Sequence, residues 1–201
     1  MNTAIRRQAR FTRLDQATSE DFAILHVYMS AERQKLSDRV LQQLHDLRGP
    51  KLGMQVDRFE HSLQTATRAK LDGADEETIV CALLHDIGDH LAPDNHGAFV
   101  SEILRPFVSD TNYQILRYHP EFQGYFFFDK LGADPNMRER HRGKPWFDLA
   151  HRFCERWDMP AFDPAYQALP IETFEPMVRR LFAKPATHNG VVLPSADTGK
   201  G

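Results

Sequence analysis

The sequence predicts an all-α, single-domain protein, and three observations carry that prediction. Apolar residues recur at three- and four-residue spacing behind recognisable helix-capping residues. No stretch of useful length alternates apolar and polar residues as a half-buried strand does. Of the twelve prolines only Pro50 precedes Pro93, so the front half can hold long helices while the back half must break often. A chain of 201 residues is long enough for one self-supporting core. The expected organisation is an N-terminal arm over residues 1–17, a helical domain over 18–184 and a flexible C-terminal tail over 185–201.

The arm is polar and basic. Thr18, Ser19, Glu20 and Asp21 form an N-cap cluster, whose side-chain oxygens can accept orphan backbone N–H groups. Phe22, Leu25, Tyr28 and Met29 follow at helical spacing, and this helix is expected to reach about Leu47, where Arg48-Gly49-Pro50 ends it. Asp57 can cap a second helix with Phe59, Leu63 and Ala66 on one side and Gly73 closing it. Asp75 can cap a third, buried through Ile79, Leu83 and Ile87 and stopped by Gly88. Further helices are expected from about Asn95 to Phe107, Ser109 to Tyr118, Pro145 to Trp157 and Ile171 to Phe182. Residues 185–201 carry no periodic pattern.

Composition excludes several classes. Lys and Arg number 25 against 28 Asp and Glu, a net charge of −3, which argues against a basic nucleic-acid-binding face. The longest apolar runs, such as Ile79–Leu84, are too short to span a bilayer, and no apolar segment follows the charged start, so neither a membrane anchor nor a secretory signal is expected. Two cysteines, Cys81 and Cys154, give no disulfide framework and fit a cytoplasmic location, with Cys81 expected in the core. What stands out is ten histidines.

Four segments gather them with acids: Glu60-His61-Ser62-Leu63-Gln64, His85-Asp86-Ile87-Gly88-Asp89, Asn95-His96-Gly97 and Arg117-Tyr118-His119-Pro120, with Arg156-Trp157-Asp158 downstream. His85-Asp86 follows the apolar turn Cys81-Ala82-Leu83-Leu84, and a histidine and a carboxylate at the buried end of a core helix are costly unless bonded or bound to metal. At a helix end the two splay enough for the imidazole to take one cation and the carboxylate to bridge to a second. His61 sits on the preceding helix, which a short turn can bring level, and His96 and His119 border the next two helices. Metal sites in helical bundles are built from such inward-facing side chains. Asp158, after Arg-Trp toward the end of a core helix, is preferred to Asp148 and Asp163. His26, His45, His141, His151 and His188 have no comparable context and are expected at the surface, while His90, beside Asp89, is a candidate for substrate contact.

Over roughly residues 53–182 these motifs resemble the HD-domain superfamily. The set His61, His85-Asp86 and Asp158 resembles the single-metal ligands of the simplest HD phosphohydrolases, and His96 and His119 resemble the added ligands of the dinuclear members. With Glu60-His61-Ser62-Leu63-Gln64, His85-Asp86-Ile87-Gly88 and a tyrosine six residues after His119, Tyr125, the chain is similar to the mixed-valent di-iron HD oxygenases of phosphonate catabolism. That resemblance implies two iron ions, Fe(II) and Fe(III). His61, His85, Asp86 and Asp158 would hold one, and Asp86, His96 and His119 the other. It implies O2 and a small 1-hydroxyphosphonate as partners, with no catalytic residue beyond the metal ligands.

Three positions depart from that group. Met54 stands where those oxygenases carry a glutamate, Asp89 where they carry a histidine, and Gln123 where they carry a lysine that contacts phosphonate. The loss of a cation at Gln123 and the gain of an anion at Asp89 suit a trimethylammonium end, which anions and aromatic faces bind. The substrate implied is (1-hydroxy-2-(trimethylamino)ethyl)phosphonate, cleaved to glycine betaine and phosphate. Arg58, Asp89, Gln123 and Tyr125 are the candidate substrate contacts, with Arg117 and Lys130 as further available cations, and Tyr125-Phe126-Phe127-Phe128 as a whole is expected in the core. The alternative is a metal-dependent HD phosphohydrolase using Mn, Co or Mg on a phosphate ester or nucleotide, since the same shell could activate a bridging hydroxide.

Overall fold

Two helices form the centre of the molecule, α3 (Arg58–Leu71) and α4 (Glu76–Leu84), packed against each other across a short turn. The structure, a computed structural model, describes residues 7–188 and 191–192. Before this pair lie α1 (Ser19–Arg33) and α2 (Leu36–His45), and after it α5 (His96–Leu104), α6 (Asp110–Gly124), α7 (Phe147–Phe153) and α8 (Glu175–Ala183). α5 lies on α6, α6 on α7, and α8 closes the other side against α2 and α4. The residue range Cys154–Asp158 continues α7 as a π-turn, which also packs on α3. Leu44, Leu83, Leu84, Ile87, Leu104, Leu116, Phe122, Phe153 and Phe174 are fully buried in the resulting core. Each contributes about 1.5–3 kcal/mol by leaving water.

The caps fall where the sequence places them. Thr18 and Asp21 form a reciprocal capping box on α1, and Asp57, Asp75 and Ser109 accept the N–H of Glu60, Thr78 and Asn112. Gly73, at φ +79°, turns the chain from α3 into α4 in the left-handed region that glycine enters at least cost.

Several boundaries differ from expectation, α5 and α7 ending short at Leu104 and Phe153 among them. The first long helix is broken at Gln34-Lys35 into α1 and α2. α2 buries Val40, Leu41 and Leu44, whereas only Asp21 of α1 is buried and Phe22 and Met29 stay exposed, so the break lets α2 follow the core. α4 stops at Leu84, and His85 to Gly88 follow in tight turns closed by Ile87 N–H to the Leu84 carbonyl and Asp89 N–H to the Asp86 carbonyl. α6 runs through Pro120 to Gly124, although proline usually ends a helix. Where one C-terminal helix is expected, a 3-10 turn (Ile171–Thr173) precedes α8.

The arm is tied down from residue 7: the Arg10 N–H donates to Asp21 and the Tyr28 hydroxyl to the Arg7 carbonyl. Inside the expected tail, Thr187–His188 (β1) pairs antiparallel with Val191–Val192 (β2), and Ala186 is buried. This two-residue ladder leaves the helical body all-α. The remaining expectations for residues 1–6, 189–190 and 193–201, and for the His188 side chain, fall outside the described residues. No described helix is long and apolar enough to cross a membrane.

Candidate metal centre

His61, His85, Asp86, His96, His119 and Asp158 meet in one cluster, and five of them are almost completely buried. The geometry follows from where the backbone leaves carbonyls to spare. His61, on the inner face of α3, points its Nδ1 at the Ala161 carbonyl 3.0 Å away. His85, just past the end of α4, donates to the Ala82 carbonyl at 2.9 Å. His96 reaches the Pro93 carbonyl at 3.2 Å from the start of α5, and His119 the Leu116 carbonyl at 2.7 Å within α6. A carbonyl only accepts, so each Nδ1 carries a proton and each Nε2 is the nitrogen left facing inward.

Those nitrogens are crowded. The Nε2 atoms of His61 and His85 lie 3.1 Å apart, and those of His96 and His119 3.2 Å apart. Asp86 stands between the two imidazole pairs. Its Oδ2 is 3.5 Å from His61 Nε2 and 3.4 Å from His85 Nε2, while its Oδ1 is 3.4 Å from both His96 Nε2 and His119 Nε2. Asp158 adds Oδ1 at 3.2 Å from His61 and 3.5 Å from His85. Its Oδ2 is buried without any hydrogen-bond partner. Converging acceptors and an orphaned carboxylate oxygen fit bound cations. One would lie among His61, His85, Asp86 and Asp158, and a second among Asp86, His96 and His119.

The electrostatics agree. Burial lowers the pKa of His85, but Asp86 and Asp158 outweigh it and push it up to about 9, so the centre holds a positive charge there even without metal. Burial opposes ionisation of Asp86 and Asp158, yet the facing histidines hold both below the usual carboxylate range. Burial lowers His119, against its bond to Asp86, and favours the neutral imidazole a metal needs.

The π-turn delivers Asp158. Asp72, at the end of α3, accepts Arg152 at 2.7 Å, Arg156 at 2.7 Å and Trp157 Nε1 at 3.0 Å, which pins the turn to α3. The loop beyond is stitched to the same helix by Gln64 to the Asp163 carbonyl and Arg68 to the Pro160 carbonyl. Phe162 then stacks on His61 with ring centroids 4.3 Å apart.

Of the candidate substrate contacts, three reach the cluster or its edge. Arg58 donates to Asp89 at 2.9 Å and to Asp86 at 3.3 Å. Asp89 also lies 3.7 Å from His96 Nδ1. Gln123 donates to Asp158 Oδ1 at 2.7 Å, so it touches the cluster itself rather than an open space. Tyr125 is not brought in: it is exposed, with Phe126 and His151 at its ring edge and the Arg138 guanidinium 3.4 Å over its face. Phe126, Phe127 and Phe128 are only half-buried, because α6 ends and a 3-10 turn carries this run toward the surface. Arg117 is engaged by Glu102, and Lys130 is exposed.

His141, expected at the surface, is buried against Tyr118 and Trp146 and bonded to Glu121. His45 stacks on Phe59, and His151 accepts from Arg138 at 2.7 Å. The sequence carried no signal for Arg138, a residue only 7 % exposed whose Nε has no hydrogen-bond partner.

Comparison with known proteins places this geometry. The family model described as "HD domain" matches residues 58–158. The [1-hydroxy-2-(trimethylamino)ethyl]phosphonate dioxygenase (glycine-betaine-forming) of Leisingera caerulea is 36 % identical, with 70 % of this chain and 88 % of that relative covered.

Proposed function

The chain belongs to the HD-domain family, and we propose that within it the protein is a di-iron, O2-dependent oxygenase that cleaves the carbon–phosphorus bond of a 1-hydroxyphosphonate. The substrate we assign is [1-hydroxy-2-(trimethylamino)ethyl]phosphonate, taken from the similarity to the Leisingera relative. The observation that carries the reading is Asp86, whose two oxygens face two separate imidazole pairs. One carboxylate so placed could serve two cations, and a set of imidazoles and carboxylates suits non-haem iron.

The reaction balances without an external reductant. The carbinol carbon loses its hydrogen and its bond to phosphorus and becomes a carboxylate carbon. Phosphorus leaves as phosphate, and both atoms of one O2 enter the two products. Iron held in the cluster would supply O2 activation and the redox equivalents for this change.

The chain's own residues supply the rest. Carbonyl partners on all four Nδ1 atoms hold the imidazoles with Nε2 facing the cluster before metal arrives. The core around His85, His119 and Asp158 excludes water from that side of the cluster. On the more open side, Arg58 and Asp89 form an ion pair of no net charge. A substrate with a phosphonate at one end and a trimethylammonium at the other matches them charge for charge, with the guanidinium for the anion and the carboxylate for the cation.

The test is purification with iron, followed by O2 uptake and phosphate release on a panel of 1-hydroxyphosphonates. Equal consumption of O2 and release of phosphate is expected, with the trimethylammonium compound as the best substrate. Phosphate release from phosphate esters without O2 would instead establish a hydrolase.

A further inference from the structure

Every histidine of the cluster is aimed by a backbone carbonyl, and for three of them the free carbonyl has an ordinary origin. Ala82 lies in the last turn of α4, and Pro93 and Ala161 lie outside the helices. Carbonyls at helix ends and in loops have no helical partner. His119 is different, because it lies well inside α6, where each carbonyl normally accepts the N–H four residues on. The N–H that Leu116 would receive belongs to position 120, and position 120 is proline, which has none.

We propose that Pro120 is a positioning residue for the second metal: by withholding an N–H from Leu116, it leaves that carbonyl to His119 Nδ1. The resulting 2.7 Å bond fixes the ring so that Nε2 lies 3.4 Å from Asp86 Oδ1 and 3.2 Å from His96 Nε2. The other ligand of that pair is set by the same feature. α5 crosses α6 so closely that a Cβ on Gly97 would stand 2.9 Å from the Arg117 carbonyl oxygen, 3.0 Å from that of Leu116 and 3.1 Å from Pro120 Cδ. Glycine alone fits that approach, and the residue before it is His96. The proline-centred turn of α6 is thus the seat against which the start of α5 places His96 and within which His119 is locked. This rests on the two-metal reading of the cluster.

The test is Pro120→Ala in the full chain, which restores the missing N–H. Proline is poor inside a helix and alanine is the best helix former, so a purely structural Pro120 gives no reason to expect a loss on substitution. The metal-free variant is expected to melt at the wild-type temperature or above it. Its second metal is expected to bind about 10–100-fold more weakly, as for other changes behind a metal ligand, with the first unchanged. Anaerobic Fe(II) titration and Mn(II) titration against a competing chelator read both affinities. The slowly exchanging Nδ1–H signal of His119, assigned by 15N imidazole NMR on the metal-free protein, is expected in the wild type and lost in the variant. Two metals bound with unchanged affinity would overturn the proposal. So would equal weakening of both sites with a lowered melting temperature, which would make Pro120 a general fold determinant. A wild-type chain that binds fewer than two metals refutes the two-metal reading itself and takes this inference with it.

Discussion

In the metal-free protein, Asp86→Asn should remove much of the loss of stability between about pH 6.5 and pH 9. Burial lowers His85, but the carboxylates of Asp86 and then Asp158 push it up to about 9, against about 6.5 for an unfolded histidine. A folded-state pKa above the unfolded one stabilises below the unfolded value, and that stability is lost as pH rises through the folded value. A shift of about 2.5 units at about 1.4 kcal/mol per unit gives about 3 kcal/mol at the acid end, about 1 kcal/mol at pH 8 and almost nothing above pH 9. Half of that for Asp86, in a chain of 201 residues, corresponds to a drop of about 3–6 °C at pH 6.5 that shrinks toward pH 9.5. Scanning calorimetry of chelator-treated wild type and variant measures the difference directly. Parallel curves would refute the charge coupling. Metal must displace the same proton, so the rise in melting temperature on adding metal to the wild type should grow from pH 6.5 to 9. A constant or shrinking rise would show that His85 is not a ligand.

Two further outcomes separate the sites and the packing. His96→Ala and His119→Ala should each leave one tightly bound metal per chain, His61→Ala should empty the other position, and Asp86→Ala should lose nearly all metal. Elemental analysis after gel filtration decides this, and a fully loaded Asp86→Ala protein contradicts the bridging role. Gly97→Ala must push two carbonyls of α6 away from α5, at a cost of about 1–3 kcal/mol in urea unfolding; wild-type stability would contradict the close approach.

The residues that meet in the cluster were legible because each carries its own local signal. His85-Asp86 follows four apolar residues and precedes a helix stop, and His61 lies one helix earlier at a distance that a short turn brings level. Helix starts were equally readable from Thr18, Asp57, Asp75 and Ser109, since capping is a local interaction. The misread boundaries all depend on tertiary partners. Nothing local ends α1 at Arg33, because the break at Gln34-Lys35 serves the burial of α2. Pro120 reads as a terminator, yet α6 continues through it with the start of α5 packed closely against that turn. His141 looked like a surface residue because its burial comes from Tyr118 and Trp146, distant in sequence.

The candidate substrate shell was harder to read for a related reason: two of the three residues that differ from the oxygenase group, Asp89 and Gln123, are engaged by other side chains. Asp89 is held by Arg58, and Gln123 by Asp158. A one-at-a-time reading makes Asp89 a free anion, but Arg58 neutralises it, and the same guanidinium reaches Asp86. Substituting Asp89 alone would leave Arg58 next to the carboxylate that faces both imidazole pairs. Replacing Gln123 with lysine would set a second cation against Asp158, which already faces two histidines. Changes at either position therefore act on the metal cluster as well as on any bound molecule. The proposed substrate contacts are therefore tested as the pairs Arg58–Asp89 and Gln123–Asp158, with metal content measured beside every activity.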